Sequence, residues 1–438
     1  MQLSKSLLLL ATQSSIALAQ SNSTNSTTDV PYLPLSTDDY FSFILDEVLA
    51  LSNGGGAATG EVLRAAAKIE AGNYESFYSE FKFLADSLHD VAASVNATKF
   101  PVSARQAYFR AASYYRSSVF FFTANQSDPR LFDVWDQGRA DFDQAIALAD
   151  PKGERVTLKG PGFDIPVIFF KSPKASKCNA PVPTILIGSG YDAPQEDSYH
   201  ALGREILERG WNFVTYEGPG QSTVRREQGL GFIPNWWDVV TPVVDYLETR
   251  PEVDTKRIAL GGLSFGGILA PLAASREHRL AAVIAIDGLA NLQQTAMASF
   301  PASAVKLFES GNQTAFDAYM NAVRASPAAP TLVKWFIGQG LWSFATDSPY
   351  DWMKQLGDVK LDADILSNVT CPVFVGKGES DVTAGGQEQE VADWLGSKGY
   401  LYEFKTALGA GVHCQLGAEP QLAQVTMDWV AEVFEAVA

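Results

Sequence analysis

The sequence predicts an α/β protein: a mostly parallel sheet with helices on both faces, preceded by a helical domain and interrupted by a helical insertion. Three observations carry this. From Thr37 to Ala149 apolar residues recur at helical spacing. From Gly153 short apolar runs alternate with amphipathic stretches, the pattern of strands joined by crossover helices. Between Gly288 and Asp364 the alternation stops, and helical stretches there hold Phe300, Phe308, Trp335, Phe336, Trp342, Phe344 and Trp352. A chain of 438 residues is long enough to bury such an assembly in two or three domains, or in one enlarged one.

In chain order, residues 1–19 read as a signal peptide: Lys5 gives a positive start, Leu7 to Ala11 an apolar core, and Ala17-Leu18-Ala19 a small-residue cleavage site. That core is too short to span a bilayer, and no other run approaches the needed length, so stable membrane insertion is not expected. Residues 20–36 are polar and Ser/Thr-rich, a disordered lead-in. Residues 37–150 form an N-terminal helical cap domain, with helices expected over Asp39 to Leu51, Thr59 to Ile69, Asn73 to Val95, Ser103 to Phe122 and Pro129 to Ala149. In the fourth, Ala107, Ala111, Tyr114, Tyr115, Val119 and Phe122 recur at three and four, with Ser103 as its cap. Gly54-Gly55-Gly56 is a connector and not a phosphate loop, because no Lys follows.

Residues 151–438 carry the sheet, with a lid insertion over about 288–364. Arg155 to Lys159 and Asp164 to Lys171 make a hairpin, and Thr184 to Ile187 a buried strand. A helix over Ser198 to Arg209, a strand over Trp211 to Tyr216 and a helix over Trp236 to Thr249 follow. Further strands fall at Arg257 to Gly261, Ala281 to Ile286, Pro372 to Gly376 and Leu401 to Lys405, before a C-terminal helix.

The chemistry is legible at Gly262-Leu263-Ser264-Phe265-Gly266, between a buried strand and an apolar helix. A serine on such a strained strand-to-helix turn is the nucleophile elbow of an α/β-hydrolase sheet, and its glycines let strand and helix pass closely. The elbow serine needs a carboxylate and then a histidine, in that order. Of four histidines, His89 lies within a helix, His278 at a helix end, and His200 upstream of the serine. His413 stands in the glycine-rich loop Gly409-Ala410-Gly411-Val412-His413-Cys414, where it can reach over the sheet edge. For the acid, Asp381 sits just beyond the strand Pro372 to Gly376, with Glu379 as its competitor. Ser264, Asp381 and His413 are thus the expected catalytic set. The oxyanion hole is expected from the amide of Phe265 and one amide of Gly188-Ser189-Gly190-Tyr191-Asp192. Gly190 lets the backbone turn so that the Tyr191 amide faces the cleft, with Gly190 or Asp192 itself as the neighbouring alternatives.

The formal charge of −17 argues against nucleic acid as partner, since phosphate would be repelled. Three cysteines permit at most one intramolecular disulfide, with a Cys178–Cys371 pairing left open. With His413 engaged, no His/Cys cluster remains at ligand spacing, so neither metal nor cofactor is expected. Six Asn-x-Ser/Thr sequons, at Asn22, Asn25, Asn96, Asn125, Asn312 and Asn368, join the signal peptide in predicting a secreted glycoprotein. A homodimer is compatible with the sequence.

Together with Tyr216-Glu217-Gly218-Pro219-Gly220-Gln221, Gly378-Glu379-Ser380-Asp381 and the helical run Ala107-Tyr108-Phe109-Arg110-Ala111-Ala112-Ser113-Tyr114-Tyr115-Arg116, these motifs resemble the FrsA-like α/β-hydrolases. Within them the chain looks most like fungal polyketide-pathway hydrolases of the yellowish-green hydrolase type. The resemblance implies a Ser-Asp-His triad beneath a helical cap, acting on an ester or on a β-diketone carbon–carbon bond. If both helical segments cover the site, Tyr114, Tyr115, Trp335 and Trp342 would line an apolar pocket for an aromatic or polyketide-like small molecule. Two rivals fit less well. A peptidase of prolyl-oligopeptidase type would carry a β-propeller where residues 37 to 149 read as helices. A non-catalytic binding protein on this fold would be expected to lack a triad member, and all three are present.

Overall fold

Strands buried on both faces read as continuous apolar runs, and the centre of this sheet does so. The computed structural model describes residues 32–178 and 180–437. The expected signal peptide, most of the lead-in and the sequons at Asn22 and Asn25 lie outside them. Eight strands form one sheet: β1 (Gly153–Lys159), β2 (Asp164–Phe170), β3 (Val182–Gly188), β4 (Asn212–Tyr216), β5 (Val253–Gly262), β6 (Ala282–Ile286), β7 (Val373–Gly378) and β8 (Gly399–Phe404). Their order is β1-β2-β4-β3-β5-β6-β7-β8. The pairs β1/β2 and β2/β4 are antiparallel and the other five are parallel. Every residue of β3, β4 and β6 is buried, whereas β1, at the edge, is partly exposed throughout. Successive side chains on β3 face opposite layers: Leu186 joins one apolar core, and Ile185 and Ile187 the other.

The parallel strands bring the loops after β3, β5, β6 and β7 to one edge of the sheet, the place where folds of this kind bind ligands. Above it stand the N-terminal helices α1 (Asp39–Ala50), α2 (Thr59–Ala66), α3 (Tyr74–Ser94), α4 (Pro101–Ser118) and α5 (Arg130–Ala147). Asp38 caps α1 by accepting from the amides of Tyr40 and Phe41, and Asn73 caps α3 through the Ser76 amide. Ser103 is not the cap of α4. That helix starts at Pro101, whose fixed φ suits the first helical position, so Ser103 falls in its first turn. α4 also stops at Ser118, and a separate 3₁₀ turn spans Phe120–Ala124. The single helix expected over Ser198 to Arg209 is instead two short α-helical pieces, Gln195–Ser198 and Arg204–Glu208, joined by a π turn at Tyr199–Gly203.

α6 (Trp237–Glu248) and α7 (Gly266–Ala274) flank β5. Between β6 and β7 run six helices: α8 (Leu292–Ala298), α9 (Ala302–Glu309), α10 (Gln313–Ala325), α11 (Thr331–Ser343), α12 (Pro349–Asp358) and α13 (Ala363–Ser367). The insertion and the N-terminal helices meet directly. Trp335 on α11 stacks on Phe120 at 5.2 Å and 8°, and a Cβ on Gly338 would lie 2.8 Å from the Cβ of Ala124. α14 (Gln387–Leu395) and α15 (Glu419–Ala436) complete the sheet's cover. Cys371 and Cys414 are free thiols. Among the described residues no helix is long and apolar enough to cross a membrane.

Candidate active site

Ser264 stands between the end of β5 and the start of α7 with φ 59°, a left-handed value that a non-glycine residue adopts only under constraint. The constraint is visible at Gly262. A Cβ there would lie 1.9 Å from the carbonyl oxygen of Gly266, so only glycine lets strand and helix approach this closely. The turn is closed by the Gly266 amide donating to Leu263 O at 2.8 Å and the Gly267 amide to Ser264 O at 2.7 Å. The Phe265 amide is left at the N-terminus of α7, where backbone N–H groups and the helix dipole favour negative charge.

His413, in the loop after β8, places Nε2 2.8 Å from Ser264 Oγ and Nδ1 2.8 Å from Asp381 Oδ2. Asp381 follows β7, buried, and accepts a second hydrogen bond from the Thr383 amide at 2.7 Å. Glu379 turns outward instead, to the Thr406 amide at 2.9 Å and Lys405 Nζ at 3.2 Å. A second carboxylate also meets the imidazole: Asp287, fully buried at the end of β6 with φ 67°, has Oδ2 3.0 Å from His413 Nδ1. It also accepts from the amide of Cys414 at 3.0 and 3.1 Å and from its thiol at 3.1 Å.

The charges follow from this packing. Burial alone would lower the His413 pKa, but Asp287 and Asp381 together hold it well above the ordinary histidine value. Burial would raise Asp381, yet His413 and the Thr383 amide outweigh it and keep this carboxyl below the usual range. Asp287 goes the other way, pushed up by burial and by the nearby Asp381 charge. An imidazole so held can take a hydroxyl proton while the positive charge that develops is met by carboxylate. Asp287, His413 and Cys414 do gather ligand-type atoms within 4.8 Å of one another. However, both His413 nitrogens are engaged, and burial pushes the Cys414 thiol far up, away from the thiolate a metal prefers.

The loop after β3 lies against the elbow. A Cβ on Gly190 would sit 2.9 Å from Ser264 Cβ and 3.0 Å from the Phe265 amide nitrogen. Its carbonyls are tied down by side chains. Gln221 Nε2 donates to Ser189 O at 2.7 Å and to Gly190 O at 3.3 Å. Tyr191 O accepts from Gln339 Nε2 at 3.0 Å and Ser343 Oγ at 3.2 Å, both on α11. Next in the chain, Asp192 joins a buried ion cluster in which Arg116 pairs with Glu47 at 2.8 Å, Asp197 at 3.2 Å and Asp192 at 3.9 Å.

The Tyr191 ring lies within aromatic contact of Phe265 (5.8 Å), Phe336 (5.8 Å), Phe232 (6.3 Å) and Trp335 (6.3 Å). Trp342 borders a cavity beside this loop with Arg116, Phe120, Tyr191, Asp192 and Gln339. Its free space is about 30 Å³, room for a few waters at ~10–15 Å³ each. Tyr114 and Tyr115 do not join this wall, a correction to the expected pocket. Tyr114 is buried in the helical region, donating to Glu61 at 2.8 Å and accepting from the Ala58 amide at 2.9 Å. Tyr115 donates to Asp86 at 2.8 Å, and a Cβ on Gly138 of α5 would lie 3.2 Å from the Tyr115 Cβ. Their helical spacing reflects packing of α4 on its neighbours, which draws the phenols inward.

The other histidines have local partners. His89 Nδ1 meets Asp141 at 2.8 Å, His278 Nε2 meets Ser275 O at 3.2 Å, and buried His200 meets Gly54 O at 3.1 Å, its pKa pushed down to about 4 by burial. In the sequence the strand-end position of Asp287 reads mainly as a turn, Arg116 and Gln221 stand within the quoted motifs with no role of their own, and Gln339 and Ser343 are not singled out. Asp287 had a signal in its strand-end position, in line with Ser264 and Asp381. Gln339 and Ser343 carry none, because only the fold brings them to this loop.

An elbow serine at the carboxyl edge of a mostly parallel eight-stranded sheet, beneath helices, defines an α/β-hydrolase. Residues 171–415 match the X-Pro dipeptidyl-peptidase (S15) family, and the chain belongs to it. Over nearly its whole length it is similar to fungal hydrolases. It is 29% identical over 426 residues to the α/β hydrolase gkaG of Penicillium citrinum, covering 92% of this chain and 98% of the relative. With the 20-hydroxy-prefusarin hydrolase FUS2 of Gibberella moniliformis it shares 27% identity over 416 residues, covering 90% of this chain and 97% of the relative. Among solved structures, the 2,6-dihydroxy-pseudo-oxynicotine hydrolase superposes with a TM-score of 0.69 at 19% identity, over 88% of this chain and 95% of that one.

Proposed function

We propose that this α/β-hydrolase is a serine hydrolase in which Ser264, His413 and Asp381 cleave an ester or a β-diketone carbon–carbon bond of an aromatic or polyketide-like small molecule. The observation that carries the reading is the imidazole of His413, 2.8 Å from the Ser264 hydroxyl on one side and 2.8 Å from the Asp381 carboxylate on the other. Ser264 Oγ attacks the substrate carbonyl carbon as His413 Nε2 takes its proton. The amides of Phe265 and Tyr191 receive the oxyanion, each worth ~3–4 kcal/mol in comparable holes. As the bond breaks, the imidazolium returns the proton to the departing alkoxide oxygen, or to the enolate carbon of a diketone. Water activated by the same imidazole then frees Ser264.

The aromatic wall of Tyr191, Trp335 and Phe336 supports an apolar acyl group. The family's peptidase description carries less weight for substrate, because the match at 171–415 leaves out the N-terminal helices that cover the site. Purified enzyme offered p-nitrophenyl esters, β-diketones and aminoacyl amides, with Ser264→Ala as control, tests the reading. Turnover of aminoacyl amides alone would move the assignment to a peptidase.

We also propose that the chain enters the secretory pathway, since all four described sequon asparagines, Asn96, Asn125, Asn312 and Asn368, are exposed. Glycosidase treatment of native protein should lower its apparent mass, and N-terminal sequencing should begin near Gln20. An unchanged mass and a retained Met1 would overturn this.

A further inference from the structure

We propose that α11 of the insertion sets the oxyanion hole, with Gln339 and Ser343 as positioning residues that act through the Tyr191 carbonyl. The inference rests on the reading of Ser264 as nucleophile and of the Tyr191 amide as a hole donor. In a trans peptide the C=O of one residue and the N–H of the next point in opposite directions. Gln221 draws the Gly190 carbonyl to one side, which turns the Tyr191 N–H to the other. That bond, at 3.3 Å and shared with Ser189 O at 2.7 Å, is the weaker half of a bifurcated pair and would not hold the peptide alone. The next peptide plane is held by two donors from α11, Gln339 Nε2 and Ser343 Oγ, which are also bonded to each other at 2.8 Å. Fixing both flanking planes fixes the φ and ψ of Tyr191, and with them the direction of its amide.

The arrangement is built and not incidental. Gln339 is 5% exposed and Ser343 fully buried, so each costs desolvation unless it finds a partner. They stand four apart on one helix, one turn from Trp335, which packs on the Tyr191 ring and on Phe120 of the N-terminal helices. α11 thus touches the acyl wall and the oxyanion loop together.

The test uses Gln339→Met, which keeps the volume and loses the donor, Ser343→Ala, the pair of them, and Ser343→Thr, which keeps the hydroxyl. The double variant should lose between about 10-fold and 10³-fold in kcat on a p-nitrophenyl ester, the range spanned by a weakened to a missing hole donor. KM should stay within about twofold, because the ground-state carbonyl leans little on the hole. An aryl boronic acid, whose serine adduct carries the oxyanion, should bind weaker by the same factor as kcat, and Ser343→Thr should recover most of the Ser343→Ala loss. Gln339→Glu serves as an isosteric second variant if the methionine protein does not fold. A double variant with parental kcat, or a loss confined to KM with unchanged boronate affinity, overturns the proposal. With Ser264→Ala inert, such a result removes only the role of α11. An active Ser264→Ala would remove the nucleophile beneath it.

Discussion

The sheet edge and the helical cover contribute to the site in different ways. At the edge, each group of the proposed triad is fixed by the backbone that carries it: Ser264 by a strained turn, Asp381 by the end of β7, and His413 by a glycine-rich loop. In the cover, side chains are fixed by what they pack on: Trp335 by Phe120, Arg116 by three carboxylates, and Gln339 by the Tyr191 carbonyl. Backbone-fixed groups announce themselves as motifs, because strained turns demand glycine at set offsets. Packing-fixed groups do not, because any helix face offers residues of the same types.

That contrast sorts the predictions. Removing an edge group should collapse the rate with the fold intact. Ser264→Ala is expected to lower kcat by roughly 10⁴–10⁶-fold with an unchanged melting temperature. A loss below about 100-fold would show that the edge is not the centre of the chemistry. Gly190→Val comes next. Its Cβ would push on Ser264 Cβ and the Phe265 amide, and kcat should fall by roughly 10²–10³-fold with the hole deformed.

The two carboxylates on His413 separate by their pH profiles. Ser264 can be activated only by neutral imidazole, and His413 is held well above the ordinary histidine value. The rate should therefore rise with pH through neutrality and level only on the alkaline side. Asp287→Asn removes one of the charges that stabilise the imidazolium, so the His413 pKa falls and the rising limb moves to lower pH. Asp381→Asn should shift the limb the same way and also cut kcat, by less than the ~3 × 10⁴-fold known for a lone triad acid, since Asp287 still meets Nδ1 at 3.0 Å. An unmoved limb in Asp287→Asn would make that residue a turn element only.

Changes in the cover should touch selectivity or stability. Trp335→Ala should lower kcat/KM for aryl esters about tenfold relative to acetate, in line with the ~0.8 kcal/mol that each buried methylene-sized group adds. Tyr114→Phe should leave that ratio alone. It strips a hydrogen bond from Glu61 and from the Ala58 amide, which should cost ~1–3 kcal/mol of stability, read as a lower melting temperature.

Much of the fold could be read from the chain. The strand-and-helix alternation after Gly153 and the helical run before it follow from burial periods of two and 3.6, and the structure has elements at each of those places. Boundaries moved where local geometry intervened, as at Pro101 and at the π turn of Tyr199–Gly203. At the candidate site, loop position and chain order leave few alternatives to Ser264, Asp381 and His413, and the structure brings these three into hydrogen-bond contact. Tyr114 and Tyr115 were misread as pocket residues because periodicity gives the face of a helix and not what that face meets. Asp287 and Gln339 needed the sheet order and the docking of α11 before either could be connected to catalysis.

The most direct measurement of the central claim is fluorophosphonate labelling followed by intact-mass and peptide analysis of parent, Ser264→Ala and His413→Ala proteins. One adduct on the peptide carrying Ser264, absent from Ser264→Ala and strongly slowed in His413→Ala, is the expected result. An adduct on another residue, or full labelling of Ser264→Ala, would contradict it.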